Sequence, residues 1–343
     1  MKAMVLDGPN QPFRLAEVPD PVAGSGEAVA KVIACGSGLT IQHVKAGRTP
    51  AEFPRIIGHE IAAEIVEVGP GVDNLAVGDA VTAHYYLTCG HCRWCLSDRE
   101  SLCQTNSGNV GRIIDGGYAE YIKLPARTFI KFPEGLDYKA HPAEAGVAAD
   151  ALATPVKVLK RARVKPGEWV AVFGAGGGVG IHMVMMGAYA HARVIAVDTK
   201  PEKFDACKKA GAEICIDGGR NDLPEALLDI TGGGVDVAVD FVSARQTLET
   251  GFKSLGIGGR LVTLGGSGQP FEVTASSLLF GEREVLGSRY CTKGELVETL
   301  ELVARREVWP LVTDVRPLEE AEALHADVEA GLVIGRAALM VAP

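Results

Sequence analysis

The stretch WVAVFGAGGGVGIHMVMMGAYA at residues 169–190 decides how the second half of the chain folds. Its first five residues are apolar, as in a buried strand, and the glycines that follow predict a tight turn. The segment from Gly180 onward is apolar over the length of a helix, so the pattern predicts a strand, a glycine turn and a helix. The stretch carries no charged residue, but its six glycines favour this buried unit over a membrane span.

The glycine turn has the sequence context of a dinucleotide-binding site. A second predicted strand, residues 193–198, follows the helix and ends in Asp198. Glycines let backbone N–H groups approach a pyrophosphate, whose negative charge is favoured at the N-terminus of a helix. An acidic side chain at the end of the second strand can accept hydrogen bonds from both ribose hydroxyls of NAD, and it repels the 2′-phosphate of NADP. The predicted cofactor is therefore NAD(H).

The glycines can be read in two registers. In G-x-G-x-x-G, counted from Gly174, the third glycine position holds Val179, whereas G-x-x-G-x-x-G uses Gly174, Gly177 and Gly180. We prefer the second register because Gly180 opens the helix. The alternative is a glycine-rich structural turn that binds nothing. The predicted cofactor-binding residues of this region are Gly174, Gly177, Gly178, Val179, Gly180 and Asp198.

Strands alternate with helices from about residue 151 to residue 288. This alternation predicts βαβ units and a doubly wound parallel sheet, that is, an α/β Rossmann domain. Residues 200–211 are a predicted helix that Gly211 closes. Further strands are predicted at 213–217, 235–242, 260–266 and 284–288.

The first 150 residues have a different pattern, with short strands rich in Val, Ile and Ala between turn residues. This pattern is typical of a β-rich, barrel-like domain. Its clearest strands are predicted at 27–36, 60–69 and 78–86. Near the end of the chain, residues 295–308 predict an amphipathic helix and residues 335–343 a final strand.

Composition excludes several classes of partner. The chain of 343 residues has a net charge of −9 and a pI near 5.5, which argues against nucleic acid or an anionic membrane as the main partner. The opening MKAMVLDGPN turns polar by Asp7, so it lacks the apolar stretch of a signal peptide. We expect a soluble, cytoplasmic protein.

Four of the eight cysteines fall within fifteen residues, in CGHCRWCLSDRESLC. Thiolates this close together can surround one tetrahedral Zn²⁺ and leave no position for substrate, as in a structural site. An iron–sulfur cluster is the competing metal site, but the spacing lacks the x₃-C-P ending of bacterial ferredoxins. Four free cysteines are the remaining alternative. The predicted structural zinc ligands are Cys89, Cys92, Cys95 and Cys103.

Several of these features together resemble the zinc-type medium-chain dehydrogenase/reductase family, the alcohol dehydrogenase family. They are GHE at 58–60, VGDAV at 77–81, the cysteine segment, the glycine turn and Asp198. The resemblance covers nearly the whole chain. It implies a GroES-like β-barrel catalytic domain, residues 1–150 with 289–343 returning to it, around a Rossmann NAD-binding domain at 151–288. It also implies an active site in the cleft and a homodimer or homotetramer.

The resemblance assigns three residues to a catalytic metal position. His59 corresponds to a catalytic-zinc ligand, and Glu60 to the carboxylate that sits behind the metal or swings onto it. Asp150 falls where the third protein ligand is Cys in many members and Asp in some.

Three further residues match positions that contact substrate or cofactor in the family. Thr40 matches the hydroxyl that binds the substrate oxygen, and His43 matches the far end of a proton relay that runs through the nicotinamide ribose. Arg336 matches a basic residue that contacts the cofactor pyrophosphate.

The segment ACGSGLTIQH at 34–43 departs from the family pattern. The zinc-binding cysteine of the family lies two residues before the Ser/Thr and five before the His, and that position holds Gly38. The acidic residue that normally follows the Ser/Thr and orients the metal-binding histidine is Ile41. The segment thus keeps the relay residues and loses the metal-binding ones.

A catalytic zinc normally has three protein ligands and a water molecule. His59 and Asp150 supply two, and either Glu60 or a shifted Cys35 could complete an unusual set. Because Gly38 contributes no ligand and its neighbourhood lacks the usual support, we expect no catalytic zinc at His59, Glu60 and Asp150.

The leading hypothesis is an NAD(H)-dependent oxidoreductase that moves a hydride between nicotinamide and a carbonyl or alcohol carbon of a small molecule. Without a catalytic metal, hydrogen bonds would have to polarise the carbonyl of an aldehyde, ketone or enone. The candidate donors are Thr40, His59, His84, Tyr85 and Tyr86. One alternative is a zinc-free enoyl or enone reductase of the same family, and another is an NAD-binding protein with little turnover. The presence of both Thr40 and His43 counts against the last.

Overall fold

The computed structural model describes residues 1–266 and 268–342, and these residues divide into two units. The first unit comprises residues 1–153 and the segment that begins at Cys291, and the second is Thr154–Tyr290. The domain boundaries predicted from the sequence fall beside these borders. The chain therefore leaves the first unit after α2 (Pro142–Val147) and returns to it before α9 (Lys293–Ala304).

The first unit is built around β3 (Glu27–Ser37), a run of Val, Ile and Ala that is buried along most of its length. At its C-terminal half, β3 pairs antiparallel with β5 (Glu60–Val68) on one side and with β16 (Arg336–Met340) on the other. Gly36 stands opposite Glu60, the first residue of β5. The two neighbouring strands therefore bring Glu60 and Arg336 to the same end of β3.

The described strands of this unit form two sheets, in the orders β15-β16-β3-β5-β6-β8, with β7 also on β3, and β2-β1-β4. The pairing is antiparallel except between β15 and β16, so the β-rich first domain is confirmed. Its other strands are β1 (Lys2–Leu6), β2 (Phe13–Glu17), β4 (Arg55–Ile56), β6 (Ala80–Ala83), β7 (Tyr121–Pro125), β8 (Phe129–Lys131) and β15 (Val312–Pro317).

The second unit contains a parallel sheet. Its strands in the described part of the chain are β9 (Trp169–Phe173), β10 (Arg193–Asp198), β11 (Ile214–Asp217), β12 (Val235–Asp240), β13 (Leu255–Thr263) and β14 (Glu284–Gly287). They pair in the order β11-β10-β9-β12-β13-β14. This is the order of a doubly wound Rossmann sheet, in which ligands bind beyond the carboxyl ends of the strands where the order reverses, here between β9 and β12. The predicted Rossmann fold is confirmed.

The helices of the first unit, besides α2 and α9, are α1 (Leu39–Lys45) and α10 (Ala321–Glu329). Those of the second unit are α3 (Ala153–Ala162), which starts at the border, α4 (Gly180–Tyr189), α5 (Phe204–Lys209), α6 (Leu223–Thr231), α7 (Arg245–Lys253) and α8 (Ala275–Gly281). None of the helices in the described residues is long and apolar enough to cross a membrane.

Several predicted elements have other bounds in the structure, as two examples show. β13 begins at Leu255 rather than at residue 260, because the strand continues through the glycines of LGIGG with an irregular register against β12. The helix predicted over 200–211 is a 3₁₀ turn, Pro201–Lys203, followed by α5. The last residue of the predicted final strand, Pro343, lies outside the described residues.

A chain of buried side chains ties α1 to the core of the first unit. The Ser37 hydroxyl contacts the Tyr118 hydroxyl, which lies 2.9 Å from His325 Nε2. The other ring nitrogen of His325 lies 2.7 Å from Gln42 Oε1, on α1. Because an amide oxygen only accepts hydrogen bonds, His325 Nδ1 donates and Nε2 accepts from Tyr118. The network fixes both the tautomer of His325 and the position of α1.

Burial of His325 makes stability depend on pH. Burial lowers its pKa from 6.5 to about 3. Below pH 6.5 the unfolded chain binds a proton here that the folded chain does not bind. The free energy of unfolding therefore falls as the pH drops from 6.5 to about 3, by about 1.4 kcal/mol per pH unit from this residue.

His325→Gln is expected to remove that contribution, so that its unfolding free energy depends less steeply on pH between 6 and 4. Urea unfolding of the variant and the wild type across this range measures the difference. His191→Asn is the matched control, because His191 is exposed and Asn tolerates its positive φ. Equal pH slopes for His325→Gln and the wild type would contradict the assignment.

Candidate active site

The glycine turn of the second unit closes tightly between β9 and α4. Gly174 has a φ of +74°, and a Cβ at Gly180 would overlap the carbonyl oxygen of Gly174 and lie 2.8 Å from its carbonyl carbon. Only glycine fits at position 180, which supports the register Gly174, Gly177, Gly180. His182, buried in the first turn of α4, places its Nδ1 2.5 Å from the carbonyl oxygen of Gly178 and so steadies the turn.

Asp198 at the end of β10 is held against this turn. Its Oδ2 accepts a hydrogen bond from the N–H of Gly176 (2.8 Å), and its Oδ1 accepts one from Lys200 (3.0 Å). The carboxylate therefore stands beside the loop that would receive a pyrophosphate, with lone pairs left to accept ribose hydroxyls. The turn and the carboxylate fit a dinucleotide such as NAD.

Lys203 is a residue of this region that sequence reasoning missed. It is buried, and its aliphatic stem passes 2.5 Å from where a Cβ of Gly176 would stand. Burial lowers the pKa of Lys203, while the charge of Asp198 acts in the opposite direction. The sequence did contain a signal, a lysine five residues after the acidic residue that ends the strand.

The four clustered cysteines converge in the first unit. The sulfur atoms of the four residues all lie within 4.8 Å of one another, and three of the pairs are 3.6, 3.8 and 3.9 Å apart: Cys92–Cys95, Cys89–Cys95 and Cys92–Cys103. Thiolates around a tetrahedral Zn²⁺ with bonds of about 2.3 Å are about 3.8 Å apart. The N–H groups of His91 and Cys92 also point at the Cys89 sulfur, at 3.5 and 3.3 Å. The cluster fits a structural zinc ion.

A buried ion pair lies where the resemblance placed a catalytic metal. The guanidinium of Arg336 donates from Nε to Glu60 Oε2 (2.9 Å) and from Nη2 to Glu60 Oε1 (2.6 Å). The N–H of Ala151 donates to the same Oε1 at 3.1 Å. Burial raises the pKa of Glu60, and the charge of Arg336 partly offsets this effect. The Glu60 carboxylate is thus bound by Arg336 and by the N–H of Ala151.

Asp150 lies between His59 and Arg336. It belongs to a π-helical turn, Ala148–Leu152, of the kind that often occurs at functional sites. Asp150 Oδ2 is 3.3 Å from His59 Nε2 and 3.5 Å from Arg336 Nη2. The structure therefore brings His59, Glu60, Asp150 and Arg336 together in one buried polar cluster, which we call the Arg336 cluster.

The Arg336 cluster does not fit a catalytic zinc ion. His59 Nε2 and Asp150 Oδ2 are close enough to be neighbouring ligands, but Glu60 is engaged by Arg336 and Gly38 offers no side chain. The sulfur of Cys35 is buried in the core, 3.7 Å from the carbonyl oxygen of Gly36. Two protein ligands remain where a catalytic zinc has three.

The helix α1 carries the two residues matched to the proton relay. Thr40 is exposed in its first turn, and His43 follows on the same face one turn later. Within the described residues, His43 Nδ1 is buried and has no hydrogen-bond partner. Burial and the charge of Arg48 lower the pKa of His43. An orphaned, neutral imidazole nitrogen is suited to exchange a proton with a bound molecule.

Two of the candidate donors for a substrate carbonyl, His84 and Tyr85, differ in whether their polar atoms are already used. Both ring nitrogens of buried His84 lie 3.1 Å from backbone carbonyl oxygens, those of Tyr86 and Cys291, so its ring is used structurally. Tyr85 is half-buried with its ring centroid 4.7 Å from that of His59. Burial raises the pKa of Tyr85 to about 12, which keeps its hydroxyl protonated and able to donate.

Comparison with known proteins covers both units. A model of the alcohol dehydrogenase GroES-like domain matches residues 24–134, and a model of zinc-binding dehydrogenases matches residues 178–305. An alcohol dehydrogenase of Geobacillus stearothermophilus is 34% identical over 344 residues, covering 99% of this chain and 100% of that protein.

Two solved structures have the same fold. The crystal structure of AibC has a TM-score of 0.91 and 34% identity and covers 100% of this chain and 96% of its own. A crystal structure of an NAD-dependent alcohol dehydrogenase has a TM-score of 0.90 and 28% identity and covers both chains fully.

Loss of one clustered thiolate is expected to release the structural zinc. Cys89→Ser leaves three sulfur ligands, so zinc content should fall by one equivalent per subunit and the melting temperature should drop. Metal analysis by mass spectrometry and a thermal melt measure both. Cys215→Ser, a cysteine outside the cluster, is the control and should keep its zinc. Unchanged zinc in Cys89→Ser would contradict the assignment.

Removal of the Asp198 carboxylate is expected to weaken NADH binding about tenfold, because the acceptor for the ribose hydroxyls is lost. It should also reduce the preference for NADH over NADPH, because the negative charge that repels the 2′-phosphate of NADPH is lost as well. Fluorescence titration with each cofactor measures both effects in Asp198→Ala. The control is Asp217→Ala. Asp217 stands opposite Asp198 on the neighbouring strand β11, and this variant should bind both cofactors as the wild type does. An unchanged NADH/NADPH ratio in Asp198→Ala would argue against a ribose contact.

Proposed function

The chain belongs to the zinc-type alcohol dehydrogenase family, and from this premise we propose that it moves a hydride between the nicotinamide C4 of NAD(H) and the carbonyl or alcohol carbon of a small organic substrate. The observation that carries the proposal is α1, which has Thr40 and His43 one turn apart, and a buried nitrogen of His43 has no hydrogen-bond partner among the residues that the structure describes. A protein that only binds a nucleotide has no use for such a pair.

The residues of α1 would handle the proton while the cofactor supplies or takes the hydride. In alcohol oxidation the Thr40 hydroxyl accepts a hydrogen bond from the substrate hydroxyl and passes its proton toward His43. The lowered pKa of His43 keeps the imidazole neutral near pH 7, so it can take up that proton. In carbonyl reduction the same groups return a proton to the oxygen as the hydride reaches the carbon.

Polarisation of the substrate would come from hydrogen-bond donors. His84 is engaged with the backbone, so Thr40, His59, Tyr85 and Tyr86 remain as the candidates, and the rings of His59 and Tyr85 lie next to each other. Neutral donors are weaker electrophiles than a metal ion. The site therefore favours activated aldehydes, ketones or conjugated enones over simple alcohols. The two-ligand metal position is the specific observation in favour of the second candidate, a C=C reductase.

We also propose that the protein acts as a homodimer or homotetramer in the cytoplasm. The strand β14 lies at an edge of the parallel sheet, and the neighbouring helix α8 exposes Leu279 and Phe280 by 70% and 81%. Apolar side chains of this size beside an open strand edge are typical of surfaces that a second subunit covers. The acidic composition agrees with a protein that binds neither nucleic acid nor an anionic membrane.

The test is NADH consumption with a panel of aldehydes, ketones and enones. Thr40→Ala is expected to lower kcat/KM by about a hundredfold on the best substrate, since it removes the hydroxyl at the reacting oxygen. Thr40→Ser keeps that hydroxyl and is the matched control, with most of the activity retained. Tight NADH binding without turnover on any member of the panel would favour the nucleotide-binding alternative instead.

His43 should set the acid side of the pH profile for oxidation. Because its pKa is lowered from 6.5, the neutral form persists below that pH, and the fall in kcat is expected only below pH 6.5. His43→Gln should slow oxidation and abolish that fall. His43 would be excluded as the proton acceptor if the wild-type kcat already fell at a pH above 6.5 as the pH is lowered. It would also be excluded if His43→Gln left the pH profile unchanged.

A further inference from the structure

We propose that Arg112 binds an anionic group of the substrate, so that this site prefers aldehydes, ketones or enones that also carry a carboxylate or a phosphate. The inference rests on the proposed function for the carbonyl group and adds a second functional group to the substrate. Its evidence lies in where Arg112 is held, in the charges around it and in the donors of its guanidinium.

Arg112 belongs to a tight turn that residues 109–114 form. The N–H groups of Arg112 and Ile114 both donate to the carbonyl oxygen of Asn109 at 3.2 Å. Gly111, the residue before Arg112, has a φ of +72°, which glycine adopts without strain. The turn therefore gives the arginine a defined position on the protein.

This turn packs against the residues of the candidate active site. A Cβ at Gly111 would lie 2.6 Å from the backbone nitrogen of Gly58, the residue before His59. The N–H of Val110 donates to the carbonyl oxygen of Tyr85 at 3.0 Å. The turn is thereby fixed beside two candidate donors for a substrate carbonyl.

The side chain of Arg112 extends toward the segment that follows α1. Its Nε donates a hydrogen bond to the carbonyl oxygen of Pro50 at 2.8 Å. The two residues before Pro50 donate their N–H groups to the carbonyl oxygen of His43, at 2.9 and 3.1 Å. Burial raises the pKa of Tyr85, and the charge of Arg112 acts against this rise. The guanidinium is therefore close both to Tyr85 and to the segment that folds back onto His43.

Arg112 differs from the arginines of the neighbouring elements in its charge environment. Each of those arginines binds a carboxylate, in the pairs Arg48–Glu329, Arg55–Asp115 and Arg336–Glu60. Among residues 1–266 and 268–342, no carboxylate lies within ion-pair distance of Arg112, although this residue is half-buried. Burial removes water from a charge and makes a counter-ion favourable. A bound anionic substrate can supply that counter-ion.

The guanidinium also has the donors that such a substrate needs. Its Nε–H is bound to Pro50, and the N–H groups of the two Nη atoms can bind a ligand. This planar fork binds a carboxylate or phosphate through two parallel hydrogen bonds, which are stronger than those between neutral groups. The neighbouring rings of His59 and Tyr85 can donate to the carbonyl oxygen of the same molecule. An anionic carbonyl compound therefore finds donors for both of its polar groups.

The experiment measures NADH consumption with two matched pairs of aldehydes. Succinic semialdehyde is butanal with a carboxylate in place of its methyl group, and glycolaldehyde phosphate is glycolaldehyde with a phosphate. For at least one pair, the wild type should have a kcat/KM about tenfold higher on the anionic member. The pair with the larger ratio identifies the preferred anion as a carboxylate or a phosphate.

The variant Arg112→Gln should bring that ratio close to one and leave the kcat/KM for butanal unchanged. Arg112→Lys keeps the charge without the planar fork and should retain part of the preference. Arg127→Gln is the matched control and should keep the wild-type ratios. Arg127 is an exposed arginine of the same unit whose Nε also donates to a backbone carbonyl oxygen, that of Thr88.

Two results would overturn the proposal. One is a wild-type ratio close to one in both pairs, which needs no variant. The other is an equal loss of kcat/KM on butanal and succinic semialdehyde in Arg112→Gln, because it would show that the arginine only supports the structure.

Two unreactive amides, butanamide and succinamate, separate this inference from the proposed function. Each has an amide where the aldehyde has its reacting carbonyl, so its binding to the NADH complex can be measured by calorimetry without turnover. Tighter binding of succinamate that Arg112→Gln abolishes would support the role of Arg112 even if no aldehyde were reduced, in which case the oxidoreductase assignment would fail. Reduction of the aldehydes without preference, together with equal binding of the two amides, would refute the role of Arg112 and leave the oxidoreductase assignment intact.

Discussion

The ion pair between Glu60 and Arg336 is the interaction on which the rest of the first unit depends. The pair is possible because β3 has β5 on one side and β16 on the other, which brings residues 276 positions apart to the same strand end. Space at that end is tight. A Cβ at Gly36 would overlap a Glu60 carboxylate oxygen, and one at Gly38 would overlap the guanidinium. In this structure the buried charge pair therefore occupies the space of a side chain at both glycines, one in a central strand and one at the start of the following helix.

The same arrangement determines where the relay residues lie. The N-cap of α1 is Gly38, next to Arg336. Gln42, in the middle of α1, is bound by His325, which is bound in turn by Tyr118. A helix of seven residues has little stability of its own, so tertiary contacts must fix it. The positions of Thr40 and His43 therefore depend on contacts of residues that take no part in the proposed reaction.

Much of the fold was predictable because its signals are local. The glycine turn, the acidic end of β10 and the cysteine cluster each occupy a short segment whose spacing implies its geometry, and the comparisons confirm the two-domain fold class they indicated. The pairing of Arg336 with Glu60 was not predictable, since nothing near residue 336 indicates a carboxylate encoded 276 positions earlier. Gly38 showed only that the usual metal-binding cysteine is missing from this segment. The buried position of His325 was not predictable either, because a buried histidine in a helix has no local sequence signature.

The late position of Arg336 in the chain also has a consequence for synthesis on the ribosome. The second unit, Thr154–Tyr290, is one continuous segment that can assemble as soon as it emerges. The first unit cannot, because β16 and its arginine are translated after the whole second unit. Until then β3 has no β16 to pair with, and Glu60 has no arginine beside it. The N-terminal 150 residues therefore stay incomplete while the segment translated after them folds first.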